Sequence, residues 1–248
     1  MTAQAARLEA IGVSKRFGGL RALHEVSFSI PPGEVLAIIG PNGAGKSTLI
    51  NCLSSAVARD AGSVRIDGVE LPREYADRLV GLGITRTFQQ VRLFPSLTVL
   101  EHLLLTRRAW ERTARATGSA PAQEVCLSLL ERVGLSDRRD RMPMELAYGE
   151  RRRLEIARGL ATEPLVFLVD ELAAGSTGAE QLGLAALIRH IAGTGAAVLL
   201  VEHHMDLISR VADRVLVLNF GETVTSGSYD EVRRDPRVVA AYLGAQEA

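Results

Sequence analysis

Nine residues, Gly40-Pro41-Asn42-Gly43-Ala44-Gly45-Lys46-Ser47-Thr48, have the types and spacing of a phosphate cradle. The three glycines let the backbone curl so that successive N–H groups point inward at a polyphosphate. Lys46 is placed to reach the β- and γ-phosphates, and the Ser47 hydroxyl to ligate Mg²⁺. The apolar run Val35-Leu36-Ala37-Ile38-Ile39 precedes this loop and Leu49-Ile50-Asn51-Cys52-Leu53 continues it, so the order is strand, P-loop, helix start. The helix N-terminus adds its partial positive charge. Composition supports the reading: 27 of the 29 basic residues are Arg, and Lys15 and Lys46 are the only lysines. Keeping Lys at 46 argues for a compact ammonium between phosphates, where a planar guanidinium would not fit.

Polar groups also end two further apolar runs. Leu165-Val166-Phe167-Leu168-Val169 leads into Asp170-Glu171, and Ala197-Val198-Leu199-Leu200-Val201 leads into Glu202-His203. Continuous apolar runs of this length suit parallel strands buried on both faces, and open parallel sheets bind ligands beyond their carboxyl ends. The three run ends therefore converge on one site. Asp170 is suited to hold Mg²⁺, Glu171 to orient and deprotonate an attacking water, and His203 to contact a γ-phosphate. The plainer readings are an acidic pair capping a helix and a histidine that is only polar surface.

The elements that must position these groups are legible in outline. The 248 residues most simply form one α/β domain with an inserted subdomain. Residues 8–30 alternate loosely around Gly18-Gly19 and read as an antiparallel strand pair ahead of the core. Phe17, beside that turn, is either a stacking surface for a base or a core ring. From about 92 to 161 the pattern is helical, with a capping box at Thr98 and Glu101, a helix through Val125 and Val133 closed by Gly134, and a helix from Arg151 to Leu160. On that last helix Arg151 and Glu155 are spaced to pair across one turn. The division is therefore 1–91 and 162–248 for the core with its antiparallel β subdomain, and 92–161 for a helical subdomain. A hairpin is expected at Asn219–Glu222, and short helices at Ser228 and Asp235-Pro236.

Zero net charge gives no global basic field to argue for nucleic acid as a partner. The helical stretch carries 13 Arg against 9 acidic residues, either a solvated surface or a face toward a membrane protein in an anionic bilayer. Cys52 and Cys126 sit in apolar contexts without metal-ligand spacing, which fits a reducing compartment. No apolar run approaches the ~20 residues needed to span a bilayer, so the expected location is cytosolic, or peripheral through a partner.

The stretch Leu146-Ala147-Tyr148-Gly149-Glu150-Arg151-Arg152-Arg153-Leu154-Glu155 resembles the signature of ABC-transporter nucleotide-binding subunits, which begins Leu-Ser-Gly-Gly-Gln. The resemblance covers essentially the whole chain. It implies an α/β P-loop NTPase fold: a RecA-like parallel core, an N-terminal antiparallel β subdomain and an inserted α-helical subdomain. It also implies that two subunits face head to tail and sandwich two ATPs, with Gly149 at a helix start turned to a nucleotide held on the second copy. Carried over by motif, Phe17 stacks on adenine, Gln89 in Arg86-Thr87-Phe88-Gln89 lies near Mg²⁺, Asp170 and Glu171 are the Walker B pair, and His203 is the switch histidine. The implied partners are a second ATPase subunit, transmembrane permease subunits and an extracytoplasmic substrate-binding protein, at the cytoplasmic face of a membrane. Arg86 to Phe94, the Leu-Ala-Tyr-Gly signature and Ala240-Ala241-Tyr242-Leu243-Gly244 resemble the ATPase of branched-chain amino acid importers. Urea or amide import and envelope-lipid export stand next to that reading.

A soluble ABC protein acting on nucleic acid or ribosomes would be expected to carry tandem cassettes, long coiled-coil heptads or a basic extension. A P-loop GTPase would need an Asn-Lys-x-Asp run. This chain shows none of these. It does depart from its family after the Walker B pair, reading Leu172-Ala173-Ala174-Gly175-Ser176-Thr177 where Pro-Ala-Ala-Gly-Leu-Asn or a run ending in Asp is usual. In the family that loop lies at the dimer interface, so the shorter hydroxyl of Thr177 implies weaker contact between the two sites.

Overall fold

The computed structural model describes residues 6–87, 91–113, 115–116, 120–173 and 177–243. The loosely alternating N-terminal segment forms β1 (Leu8–Phe17) and β2 (Leu20–Ile30), paired antiparallel as expected. The apolar run after it is β3 (Val35–Ile39), followed by the P-loop and α1 (Lys46–Leu53). Then come β4 (Ala61–Ile66), β5 (Val69–Glu70), α2 (Leu79–Leu82) and β6 (Ile84–Arg86). The α-helices α3 (Val99–Glu111), α4 (Ala122–Arg132) and α5 (Tyr148–Leu160) follow. The chain continues through β7 (Val166–Asp170), α6 (Gly178–Gly193), β8 (Ala197–Val201), α7 (Met205–Val211), β9 (Arg214–Asn219) and β10 (Glu222–Gly227). It ends in α8 (Tyr229–Val232) and α9 (Pro236–Leu243).

Two sheets result. One has the order β2-β1-β4-β5, and the other β10-β9-β3-β8-β7-β6. The second is parallel except for β10, which turns back on β9 through the expected hairpin. The sequence points to three of its strands; β6 and β9 join them, one three residues long and the other hidden behind its own hairpin signal. The three legible strands are adjacent in space and buried at every position, because both faces of the sheet are covered. Leu36 and Ile38 face Leu49, Ile50 and the antiparallel sheet, so α1 is wedged between the two sheets. On the other face, Phe167, Val169, Val198 and Leu200 pack against α3 to α6.

The helical stretch keeps its expected cap, Thr98 with Glu101, and Gly134 closes α4 at φ +65°. One expectation there fails. Arg151 does not pair with Glu155: its guanidinium turns back to the carbonyls of Leu146 at 3.0 Å and Met144 at 3.5 Å. Glu155 faces inward and pairs with buried Arg152 at 3.3 Å, because a carboxylate taken from water needs a partner equally buried.

Candidate active site

The P-loop is pinned from three sides. Gly45 precedes α1 at φ +101°, where a Cβ would meet the Ala22 carbonyl oxygen at 2.6 Å. Only glycine fits both demands. Gly221, at the β9–β10 turn, donates to the Ala44 carbonyl at 3.0 Å, and His24 of β2 donates to Gly221 O at 2.9 Å. Ala44 is buried while Asn42, Gly43 and Ser47 face solvent, and Thr48 is half-buried. Lys46 Nζ lies against the loop, donating to Gly40 O at 2.7 Å and Pro41 O at 2.9 Å. Burial lowers its ammonium from the ordinary value, against the attraction of Glu171.

Asp170 is the last residue of β7, beside Val201 of β8, and its side chain is 2% exposed. One carboxylate oxygen accepts from Arg86 at 3.0 Å; the other has no hydrogen-bond partner among the described residues. Burial pushes this carboxyl above the usual range, and the Arg86 bond opposes the shift. An acceptor oxygen kept from water without a donor fits a cation, so the donor set of Asp170 and Ser47 suits Mg²⁺. Glu171 follows at φ +49°, a left-handed conformation costing an L-residue about 1–2 kcal/mol, and its N–H bonds Val201 O at 2.9 Å. Its side chain is half-buried.

Glu202, 1% exposed, is a residue to which the sequence gives no role. Its carboxylate accepts from Ala173 N at 2.8 Å and His203 N at 3.2 Å and meets His204 Nδ1 at 3.2 Å. It thereby ties the loop after Glu171 to His203, which is exposed and stacks on His204 at 4.5 Å. Phe17 is 48% exposed with Lys15 Nζ 5.3 Å from its ring centre, so it is a surface ring and not core. Gln89 lies outside the described residues.

The signature residues stand apart from these, at the start of α5. Leu146 is buried, Ala147 and Tyr148 are exposed, and Gly149 is half-buried. The residue at the cap position, Ala147, has no side chain to accept from the first-turn N–H groups. Glu150 turns back to bond Ala147 N at 2.9 Å and pairs with Arg138 at 3.1 Å. Beyond the Walker B pair, Leu172 is fully buried against the helical layer, and Thr177 caps α6 through a reciprocal box with Glu180. That pattern, Thr-x-x-Glu, was present in the sequence.

A P-loop after one strand, an acidic pair at the end of a second and Glu202-His203 after a third, all on one parallel sheet, define a nucleoside triphosphatase cassette. The profile of the ABC transporter family matches residues 23–174, and the chain belongs to that family as an ATP-binding, ATP-hydrolysing subunit. A second profile, branched-chain amino acid ATP-binding cassette transporter, matches residues 222–248. The high-affinity branched-chain amino acid transport ATP-binding protein LivG of Escherichia coli is 36% identical over 244 residues, 94% of this chain and 96% of LivG. BraF of Pseudomonas aeruginosa, described in the same words, is 37% identical over 96% of this chain and 97% of its own. The ADP conformation of the cassette MJ1267 superposes with a TM-score of 0.84 at 31% identity, covering 96% of this chain and 99% of that one. A dimeric post-hydrolysis state of the cassette MJ0796, bound to ADP and Pi, gives 0.77 at 26% identity, covering 90% and 98%. Among the described residues no helix is long and apolar enough to cross a membrane.

Proposed function

We propose that this chain is the ATPase of a branched-chain amino acid importer, working as a dimer at the cytoplasmic face of a membrane beneath permease subunits that an extracytoplasmic binding protein supplies. The observation that carries the substrate is the match of residues 222–248 to the branched-chain amino acid cassette profile, and 36–37% identity to LivG and BraF over nearly the whole chain agrees with it.

Within the site we assign the following roles, that of Gln89 from its motif alone. The backbone N–H groups of residues 40–48 and Lys46 grip the phosphates, and Phe17 offers its exposed ring to adenine. Ser47, Asp170 and Gln89 would hold Mg²⁺, which would supply positive charge to offset that developing on the phosphates. Glu171 orients and deprotonates the attacking water, and His203 meets the γ-phosphate. The start of α5, with Gly149 and no capping side chain, turns to the nucleotide of the second subunit. Each chain thus supplies half of two sites.

Glu171→Gln keeps the phosphate grip and removes the base, so turnover should fall ~10²–10⁴-fold while the ATP-bound dimer accumulates. Size exclusion of this variant with Mg-ATP should show a dimer; monomer alone overturns the sandwich. Purifying the assembled complex and identifying the ligand of its binding protein tests the substrate. Leucine, isoleucine or valine is expected, and urea, an amide or a lipid would overturn it.

A further inference from the structure

Arg86 closes β6, the edge strand of the parallel sheet, and among the described residues its guanidinium reaches at least two other elements. Nη1 donates to Asn51 Oδ1 at 2.6 Å and to Ser54 Oγ at 2.9 Å, both at the far end of the helix that opens with Lys46. Nη2 donates to Asp170 Oδ2 at 3.0 Å, between side chains 9% and 2% exposed. The neighbouring Thr87 accepts from Asp170 N through its hydroxyl at 3.2 Å and donates its own N–H to Leu168 O at 2.9 Å, fixing the backbone that leads into Asp170.

Stability alone is a poor reason for this arrangement. Buried ion pairs are often matched or exceeded in stability by apolar residues of the same volume, because desolvation offsets the attraction. Orientation is a better one. The two oxygens of Asp170 have separate fates, one tied to Arg86 and the other left without a donor among the described residues. A fork of N–H donors can span acceptors on two elements at once, whereas an ammonium is a point charge.

We infer that Arg86 is a positioning residue: it holds Asp170 by one oxygen, in register with the P-loop helix, so that the other is presented to Mg²⁺. The inference rests on the proposed metal role of Asp170. Its consequence is selective, since the P-loop backbone and Lys46 grip phosphate without Arg86.

The test is binding of a fluorescent ATP analogue to the full-length protein in EDTA and across a Mg²⁺ titration. Arg86→Gln should leave affinity in EDTA within about twofold and raise half-saturating Mg²⁺ about 10–100-fold, the range for losing a partner that orients a metal ligand. Arg86→Lys should fall between. In an Asp170→Asn background Arg86→Gln should add less than about twofold, because the oriented group is gone. Equal losses with and without Mg²⁺, or an unchanged Mg²⁺ midpoint, would overturn the inference. Should Arg86→Gln not fold, Asn51→Ala removes one anchor of the guanidinium and should raise the midpoint about two- to fivefold, a partial loss of the same orientation; no rise overturns the inference. If Asp170→Asn itself leaves the Mg²⁺ midpoint where it was, the metal role of Asp170 fails and takes the inference with it.

Discussion

On the proposed function the P-loop end and the signature end of this molecule both meet a phosphate, and they are built for it by different means. At the P-loop the shape is enforced by close backbone approaches: Gly45 against Ala22, Gly221 onto Ala44, and Lys46 curled onto Gly40 and Pro41. At the start of α5 little is enforced. Ala147 caps without a side chain, Tyr148 serves buried Arg152 through its hydroxyl at 2.8 Å, and Glu150 is spent on Ala147 and Arg138. What α5 offers a nucleotide is its first-turn N–H groups and the field of the helix, which depend little on side-chain identity. The difference explains why the P-loop motif is complete here while Ala-Tyr-Gly-Glu stands where Ser-Gly-Gly-Gln is usual.

If one end binds alone and the other acts only across a dimer, single changes should separate them. Lys46→Arg attacks the first. The larger, directional guanidinium must fit where the ammonium now meets two carbonyls, so nucleotide affinity of the isolated subunit and turnover should both fall, turnover by about 10²-fold or more. Equilibrium binding and phosphate release measure the two. Near-normal values would break the comparison at its stronger end.

Gly149→Ala attacks the second. A Cβ there would sit 2.7 Å from Glu180 Oε1, the far end of a flexible side chain, so Glu180 must swing and its box with Thr177 loosen. The lost cap costs about 1 kcal/mol, and Ala in place of Gly in a helix returns about the same, so the melting temperature should barely move. Turnover of the assembled complex should drop about tenfold, because the methyl crowds the N–H groups the second nucleotide needs, while ATP affinity of the subunit stays unchanged. Loss of affinity in the isolated subunit would erase the distinction between the two ends.

The same contrast governs what could be read in advance. The P-loop, the adjacent strands and the caps at Thr98 and Ser228 are written in contiguous residues, and the structure carries all of them. Arg86 gave no local signal, since its partners lie 32, 35 and 84 residues away and only the sheet order brings them together. Glu202 was hidden likewise, in the chain next to His203 but bonded to Ala173. The Arg151 and Glu155 spacing misled because burial, not period, chose their partners.

Thr177 sharpens the comparison with the smallest effect, because it caps a helix here while the family resemblance implies an interface role for its loop. Its N–H and hydroxyl bond Glu180 at 2.8 and 2.9 Å, so the residue that departs from the family is a helix cap in this chain. Asn caps at least as well as Thr, so Thr177→Asn should change stability by less than about 0.5 kcal/mol, whereas Thr177→Ala should lose about 1 kcal/mol. Asn also extends an amide further than a hydroxyl reaches. One added interfacial hydrogen bond is worth about 0.5–1.5 kcal/mol, which would raise turnover of the assembled transporter roughly two- to tenfold at unchanged subunit affinity. Melting curves and turnover of both variants separate the roles. If Asn leaves turnover where it was and Ala lowers it only in step with stability, Thr177 is a cap and nothing more, and communication between the sites must run through other residues of the loop.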